Sequence, residues 1–403
     1  MTTVEQYKVF KLELAGTAAG NPYVEVELSA HFDRADGMDS FEVRGFYKGD
    51  GNYGINFMPE SAGVWNYVVS SNDPALDGAA GSFEATPATG DNHGRVLLAK
   101  DVLAYNAPFI TDEDFNFAYE DGTRYLPFGT TCYAWTNQDA ELQEQTLQTL
   151  ATAPFNKIRM CVFPKFYDYN VEDPAMYAYE GEKGSFDHYR FYEPFWENLE
   201  HRIEQLDELG IQADLIVFHP YDKPEDWGFS RMTREEDVFY LTYVARRFSA
   251  YKNIWWSLAN EWDLMPWKPA EDWDRYARII MANDPYGHLR SIHNCREIFD
   301  HSRPWITHVS YQRCDLKNTA EDVTMLRAQY SKPVLIDEVG YEGNINWGWG
   351  NLTAQELVRR FWEGSLRGGY VTHGETYVDR GPKLWWAHGG ELFGESPDRI
   401  GFC

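Results

Sequence analysis

The chain has 403 residues, more than one ordinary domain needs and enough for a domain of about 250 residues beside a smaller module. Its 63 acidic side chains against 36 basic ones give a formal charge of −27, which repels phosphate backbones and anionic lipid surfaces, so neither nucleic acid nor a membrane is an expected partner. Met1 to Tyr7 show neither the basic stretch nor the apolar core of an export signal, and no later run approaches the roughly 18 apolar residues of a membrane span; cytoplasm is the expected compartment. Cys132, Cys161, Cys295, Cys314 and Cys403 are odd in number and widely spaced, a pattern of reduced core thiols rather than a disulfide framework or a zinc site.

From Met1 to about Arg95, polar and apolar residues alternate, as in Tyr23-Val24-Glu25-Val26-Glu27-Leu28 and Trp65-Asn66-Tyr67-Val68-Val69, with turns such as Gly49-Asp50-Gly51-Asn52 between them. This predicts an antiparallel β-sandwich over residues 1–94. A Pro, Gly, Asp and Asn cluster from Pro87 to Gly94 marks the boundary, and a hairpin-like stretch around Leu103 to Tyr119 introduces a second domain over residues 95–403. From Tyr125 onward short apolar runs alternate with helical patterns, as parallel strands joined by crossover helices do. Eight runs stand out: Tyr125–Thr130, Lys157–Phe163, Ala213–Phe218, Ile254–Ala259, Leu289–Asn294, Ile306–Tyr311, Val334–Glu338 and Tyr370–Thr376. Between them Phe195, Leu199, Ile203, Leu206 and Leu209 recur at helical spacing, as do Leu241, Ala245 and Phe248, and less regularly Leu357, Phe361 and Leu366. The count predicts a closed (β/α)8 TIM barrel. An open doubly wound sheet calls for a glycine-rich phosphate turn after its first strand, where Phe128-Gly129-Thr130-Thr131-Cys132 stands instead.

In such a barrel, chemistry collects at the carboxyl ends of the strands. Arg159 lies at that end of strand two, His219 of strand three, Asn260 and Glu261 of strand four, His293 and Asn294 of strand five, Tyr311 of strand six, Glu338 of strand seven, and His373 and Glu375 of strand eight. Glu261 and Glu338 form the pair of interest, because cleaving a glycosidic bond takes one carboxyl group that holds a proton and a second that stays ionised across the same bond. Glu375 competes with Glu261 for the first role. Arg159 has a structural alternative in pairing with a buried carboxylate, and His219, His293 and His373 in acting as hydrogen-bonded supports.

This order of strand ends resembles the retaining glycoside hydrolases of clan A, in which an Asn-Glu pair ends strand four and a second Glu ends strand seven. The resemblance implies Glu261 as general acid/base, Glu338 as nucleophile and Asn260 as partner of the sugar 2-hydroxyl, with Arg159 and Tyr311 orienting the nucleophile. A guanidinium and a phenol donating to Glu338 would lower its pKa, while Glu261, without such donors, keeps a proton near neutrality. With Ala62-Gly63-Val64-Trp65 and Gly81-Ser82-Phe83 in a sandwich ahead of the barrel, the whole chain is similar to bacterial glycoside hydrolases named largely by domains of unknown function, and the barrel resembles their apiosidase-like subgroup. Such proteins often continue into a third β-domain after a segment like Gly394-Glu395-Ser396-Pro397, whereas this sequence stops at Cys403. The implied double displacement uses carboxyl groups about 5 to 5.5 Å apart and no metal or organic cofactor.

An oligosaccharide is the expected substrate, and 15 Trp, 26 Tyr and 24 Phe supply flat faces on which sugar rings stack. Trp262, Trp267, Trp347 and Trp349 follow the two glutamate-bearing strands, and at least one is expected in the pocket together with a histidine. The long segment from Pro164 to Pro194 carries Tyr167, Tyr169, Tyr177, Tyr179, Phe186 and Tyr189; it reads either as a lid over the site or as packing against the sandwich or a second copy in a homo-oligomer. Three other functions compete. A metal-dependent hydrolase drawing on His219, Asp222, His293, His308 and His373 lacks the His-x-His expected at the end of strand one. A carbohydrate-binding protein tolerates loss of either glutamate, and both are present. A transglycosidase shares every residue named.

Overall fold

A computed structural model describes residues 1–102, 113–313 and 319–402; Cys314, Cys403 and the 103–112 part of the expected hairpin lie outside them. The N-terminal part is a sandwich of two sheets. One runs across Thr2–Glu5, Ala80–Thr86, Gly63–Ser71, Leu28–Arg34 and Ser40–Arg44, antiparallel except where Thr2–Glu5 lies parallel to Ala80–Thr86. The other pairs Phe10–Ala15 and Phe46–Tyr47 with Asn52–Phe57. Alternate residues turn inward to meet between the sheets, where Phe32 stacks on Phe57 and Phe10 on Phe83, each pair with centroids 4.0 Å apart. The expected strand over Tyr23 to Leu28 is a correction: Pro22–Glu25 forms a helical turn, which the fixed φ of Pro22 favours at its first position, and the strand begins only at Leu28.

Eight parallel strands build the second part: Gly129–Thr131, Lys157–Cys161, Gln212–Ile216, Ile254–Ser257, Arg290–Ser291, Val309–Gln312, Val334–Glu338 and Tyr370–His373. Strand one pairs with both strand two and strand eight, and the ladder runs continuously from strand five round to strand six. The remaining gap is bridged where the Thr307 N–H donates to the Arg290 carbonyl at 2.9 Å and the Arg290 N–H to the Thr307 hydroxyl at 2.8 Å. Crossover helices include Ala140–Leu150, Glu193–Glu208, Arg234–Phe248, Ala270–Asn283, Thr319–Tyr330 and Ala354–Leu366. The fifth crossover, residues 292–308, carries no helix: Asp263 accepts the backbone N–H groups of Cys295, Arg296 and Glu297 at 2.6, 2.7 and 3.0 Å, which pins that chain as a loop.

The sandwich leans on the second and third crossover helices. Asn56 donates to the Arg247 carbonyl at 2.8 Å, and Lys11 pairs with Glu200 at 3.0 Å. Tyr125, expected in barrel strand one, belongs to a small antiparallel sheet of Val96–Leu98, Phe117–Tyr119 and Arg124–Tyr125. That sheet closes the amino-terminal mouth of the barrel, with Phe117 5.2 Å from Trp255 and 5.5 Å from Tyr370, ring to ring.

Inside the barrel, strand two turns Ile158 and Met160 outward into the main apolar core and Lys157 and Arg159 inward. Lys157 meets Asp214 at 2.6 Å and Asp337 at 3.1 Å, and Arg159 meets the same two carboxylates at 3.5 and 3.9 Å. Two cations against two anions leave this buried layer neutral. Burial opposes the charge of Asp337, but Lys157 and Arg159, helped by His293 and the Ser310 hydroxyl at 2.5 Å, hold its carboxylate ionised; Thr372 also donates to it at 2.9 Å.

Candidate active site

The strand-four ladder continues past its last residue: the Asn260 N–H donates to the Phe218 carbonyl at 2.9 Å and the Trp262 N–H to the His293 carbonyl at 3.0 Å. Pinned on both sides, Glu261 adopts φ 55° and ψ 55°, a left-handed conformation that costs a non-glycine residue about 1 to 2 kcal/mol. Its carboxylate reaches a cavity of about 440 Å³ at the carboxyl end of the barrel, whose lining also includes Glu338 from the end of strand seven.

The two carboxyl groups have different surroundings. Tyr133, just beyond strand one, donates its phenol to Glu338, and Arg159 approaches the same oxygen at 3.7 Å and His293 at 3.5 Å. Burial works to raise the Glu338 pKa, but the hydrogen bond and charge of His293 and the cations Arg159 and Lys165 outweigh it and hold the group at about 2. Burial and the neighbouring Glu338 charge push Glu261 the other way, above its ordinary value, although Lys165 and the Tyr221 phenol oppose the shift. Asn260 links the two, accepting from Arg159 at 3.2 Å while donating to Glu261 at 3.4 Å.

Lys165 is the feature that sequence reasoning missed most completely. Its side chain is buried, its ammonium lies 3.7, 4.3 and 4.7 Å from the ring centroids of Tyr133, Tyr221 and Trp386, and it lines the cavity without a carboxylate in ion-pair distance among the described residues. Burial lowers its pKa, against the opposing pull of Cys161, Glu338 and Glu261. Tyr221, Gln312, Tyr341 and Trp386 also line the cavity, as do Trp347 and Trp349 from the loop after strand seven. Cys295 joins them, with burial pushing its thiol up to about 12.

Several expected residues lie elsewhere. Tyr311 packs in the apolar cluster outside the barrel with Val309, Val323 and Leu326, because alternation along strand six turns Ser310 and Gln312 inward; the phenol on Glu338 comes from Tyr133. His219 is a support, its Nε2 paired with the Phe163 carbonyl at 3.2 Å and its pKa lowered to about 3 by burial. Trp262 donates to the Glu297 carbonyl at 3.0 Å and packs edge-on against Phe299. Trp267 donates to Ser230. His373 and Glu375 do not line the cavity: Thr130 holds His373 Nδ1 at 3.0 Å, and Glu375 accepts the Phe393 and Gly394 N–H groups at 2.8 and 2.7 Å. In the long loop Tyr167 lines the cavity, while Tyr177, Tyr179 and Phe186 pack around Phe229 of the barrel part rather than against the sandwich.

Among the described residues no helix is long and apolar enough to cross a membrane. Among functionally curated proteins, no sequence matches the chain. Residues 3–72 match a family described as a domain of unknown function, DUF5060, and residues 111–391 match the family described as apiosidase-like, catalytic domain. A crystal structure from Bacteroides vulgatus ATCC 8482, described as a "putative glycoside hydrolase", is 43% identical, with a TM-score of 0.91 over 100% of this chain and 78% of that one. Two further structures share the fold. A glycoside hydrolase family 5 protein of Bacteroides vulgatus has 18% identity and a TM-score of 0.53 over 73% of this chain and 68% of its own. A family 5 mannosidase from Rhizomucor miehei in complex with mannosyl-fructose has 13% identity and a TM-score of 0.51 over 76% and 96%. By the match over residues 111–391 and the near-complete overlap with its 43% identical relative, the chain belongs to the apiosidase-like family.

Proposed function

We propose that the protein is a retaining glycoside hydrolase that cleaves oligosaccharides by double displacement. The observation that carries this reading is the opposite bias of two carboxyl groups on one cavity, Glu338 held ionised and Glu261 held towards its protonated form. Glu338 attacks the anomeric carbon as Glu261 gives its proton to the departing oxygen, leaving a glycosyl ester on Glu338. Glu261, now ionised, takes a proton from the incoming water, whose oxygen displaces Glu338 and releases the sugar with its anomeric configuration kept.

Arg159 and Tyr133 hold the nucleophile, and the Asn260 amide presents a donor beside Glu261 for a sugar hydroxyl. Trp347, half exposed on the cavity rim, offers a face for a sugar ring. The family description makes apiosides the first substrates to try. A panel of aryl glycosides and plant oligosaccharides, apiosides among them, followed by NMR of the first-formed anomer, tests the proposal. Release of sugar with retained configuration supports it; inverted product, or activity that survives both Glu261→Ala and Glu338→Ala, removes it.

A further inference from the structure

A second cluster of acidic and imidazole groups lies apart from the cavity. Beyond strands seven and eight, Glu342–Gly343 pairs in parallel with Glu375–Thr376, which sets Glu342 and Glu375 side by side. One ring nitrogen of His373 and one carboxylate oxygen from each glutamate all lie within 4.8 Å of one another, and all three side chains are buried. No basic side chain forms an ion pair with either glutamate among the described residues, so two carboxyl groups share a buried site without a protein cation.

The imidazole is set up as a ligand. The Thr130 hydroxyl, which accepts from the Trp385 indole N–H at 2.8 Å, lies 3.0 Å from His373 Nδ1 and so engages that ring nitrogen, leaving Nε2 for another partner. That Nε2 is buried and has no hydrogen-bond partner.

The carboxylates are oriented from behind. Glu375 accepts the N–H groups of Phe393 and Gly394 at 2.8 and 2.7 Å, and Glu342 those of Glu395 and Ser396 at 3.0 Å each, with the Tyr377 hydroxyl on Glu342 at 2.9 Å. Four successive amides thus grip the pair, and a Cβ on Gly394 would fall 2.5 Å from Glu342 and 2.7 Å from Glu375, so the two carboxylates converge at that residue.

We propose that Glu342, His373 and Glu375 bind one divalent transition-metal ion, of the Zn²⁺ or Mn²⁺ kind, which fastens the 393–396 segment to the barrel wall. One imidazole nitrogen with two carboxylate oxygens suits such ions, whereas Ca²⁺ calls for six to eight oxygens. The site is separate from the proposed chemistry, since none of the three residues lines the catalytic cavity. Its success or failure is therefore read independently of the glycosidase assignment.

The test uses the full chain after EDTA treatment and dialysis, titrated calorimetrically with ZnCl₂ and with MnCl₂, with thermal melting before and after. The expected result is one ion bound per chain, a higher Tm on binding, and affinity at least about tenfold weaker in Glu375→Gln. X-ray absorption on the Zn²⁺-loaded wild type stands whether or not that variant folds, and should show one imidazole with oxygen neighbours. No uptake by the wild type, uptake unchanged in Glu375→Gln, or sulfur in the coordination shell would overturn the assignment.

Discussion

Lys165 holds its ammonium 3.7 Å from the centroid of the Tyr133 ring, and the hydroxyl of that same tyrosine donates to Glu338. A single aromatic ring therefore ties a cavity cation to the carboxylate proposed as nucleophile. The charge of Lys165 lowers the pKa of both Glu338 and Glu261. In the proposed mechanism turnover needs Glu338 ionised, which sets the acid limb of the pH profile, and Glu261 protonated, which sets the alkaline limb. Lys165→Met removes a positive charge from both, so both limbs of kcat/KM should move to higher pH together, by about one unit. Limbs that stay in place, or that move in opposite directions, would contradict this electrostatic role.

Replacing either glutamate should leave different signatures. Glu338→Ala removes the proposed nucleophile, so turnover should vanish for every leaving group with the circular dichroism spectrum unchanged. Glu261→Ala removes only the proposed proton donor, so kcat on natural oligosaccharides should fall by roughly 10² to 10⁴. Aryl glycosides whose phenols depart without protonation should be largely spared in the first step. Equal losses on both substrate types would deny Glu261 the acid role.

The backbone at Glu261 makes a separate prediction about stability. Its φ of 55° is strained for any residue with a Cβ and relaxed for glycine. Glu261→Gly should accordingly be more stable than Glu261→Ala by about 1 kcal/mol, measured by urea denaturation. Indistinguishable midpoints for the two variants would mean that the neighbouring ladder does not hold the position in the left-handed region.

The buried charge layer should be intolerant of single losses. Lys157→Met leaves Asp214 and Asp337 facing Arg159 alone, an uncompensated buried anion, and is expected to cost roughly 3 to 5 kcal/mol in urea. A loss below about 1 kcal/mol, the usual worth of an exposed pair, would show that water enters the layer.

Acid should weaken the fold through a second set of carboxylates. Burial works to raise Glu200, but Arg247, Lys11 and the Tyr251 hydroxyl overcome it and hold the group at about 2; His288 and the Trp256 indole do the same for Asp284, also at about 2. Both folded values lie below those of the unfolded chain, near 4, so the stability they contribute is complete above about pH 4 and lost as pH falls towards 2. The urea midpoint should drop steeply between those limits, and Glu200→Gln should lower it at pH 7 while making the acid decline shallower. A midpoint that is flat from pH 5 to 3 would refute this.

Strand-end polarity located Glu261, Glu338, Asn260, Arg159 and His293 from sequence, because each closes or interrupts an apolar run at the carboxyl end of its strand. Tyr133 stands in the same position after strand one, and it supplies the phenol expected of Tyr311. Tyr311 shares the outward face of strand six with Val309, while Ser310 and Gln312 turn inward, so alternation along that strand already argues against a phenol from Tyr311. Lys165 and Tyr221 sit in loops and Trp386 in the single helical turn Trp385–His388, where periodicity carries no information about direction. Tyr125 was misplaced because a short antiparallel strand and a barrel strand look alike as apolar runs. The helix-free fifth crossover depends on one carboxylate, Asp263, whose partners lie over thirty residues away.

The layer of Lys157, Arg159, Asp214 and Asp337 also bears on how this barrel can diverge. Since its charges cancel only as a set, a descendant that drops one member inherits an unbalanced interior unless the opposite sign is lost in the same step. Arg159 is further bound by its contact with Glu338, so compensating exchanges fall on Lys157 with one of the two aspartates. Across related sequences these positions should therefore change in concert, and the arginine should be the last of the four to be replaced.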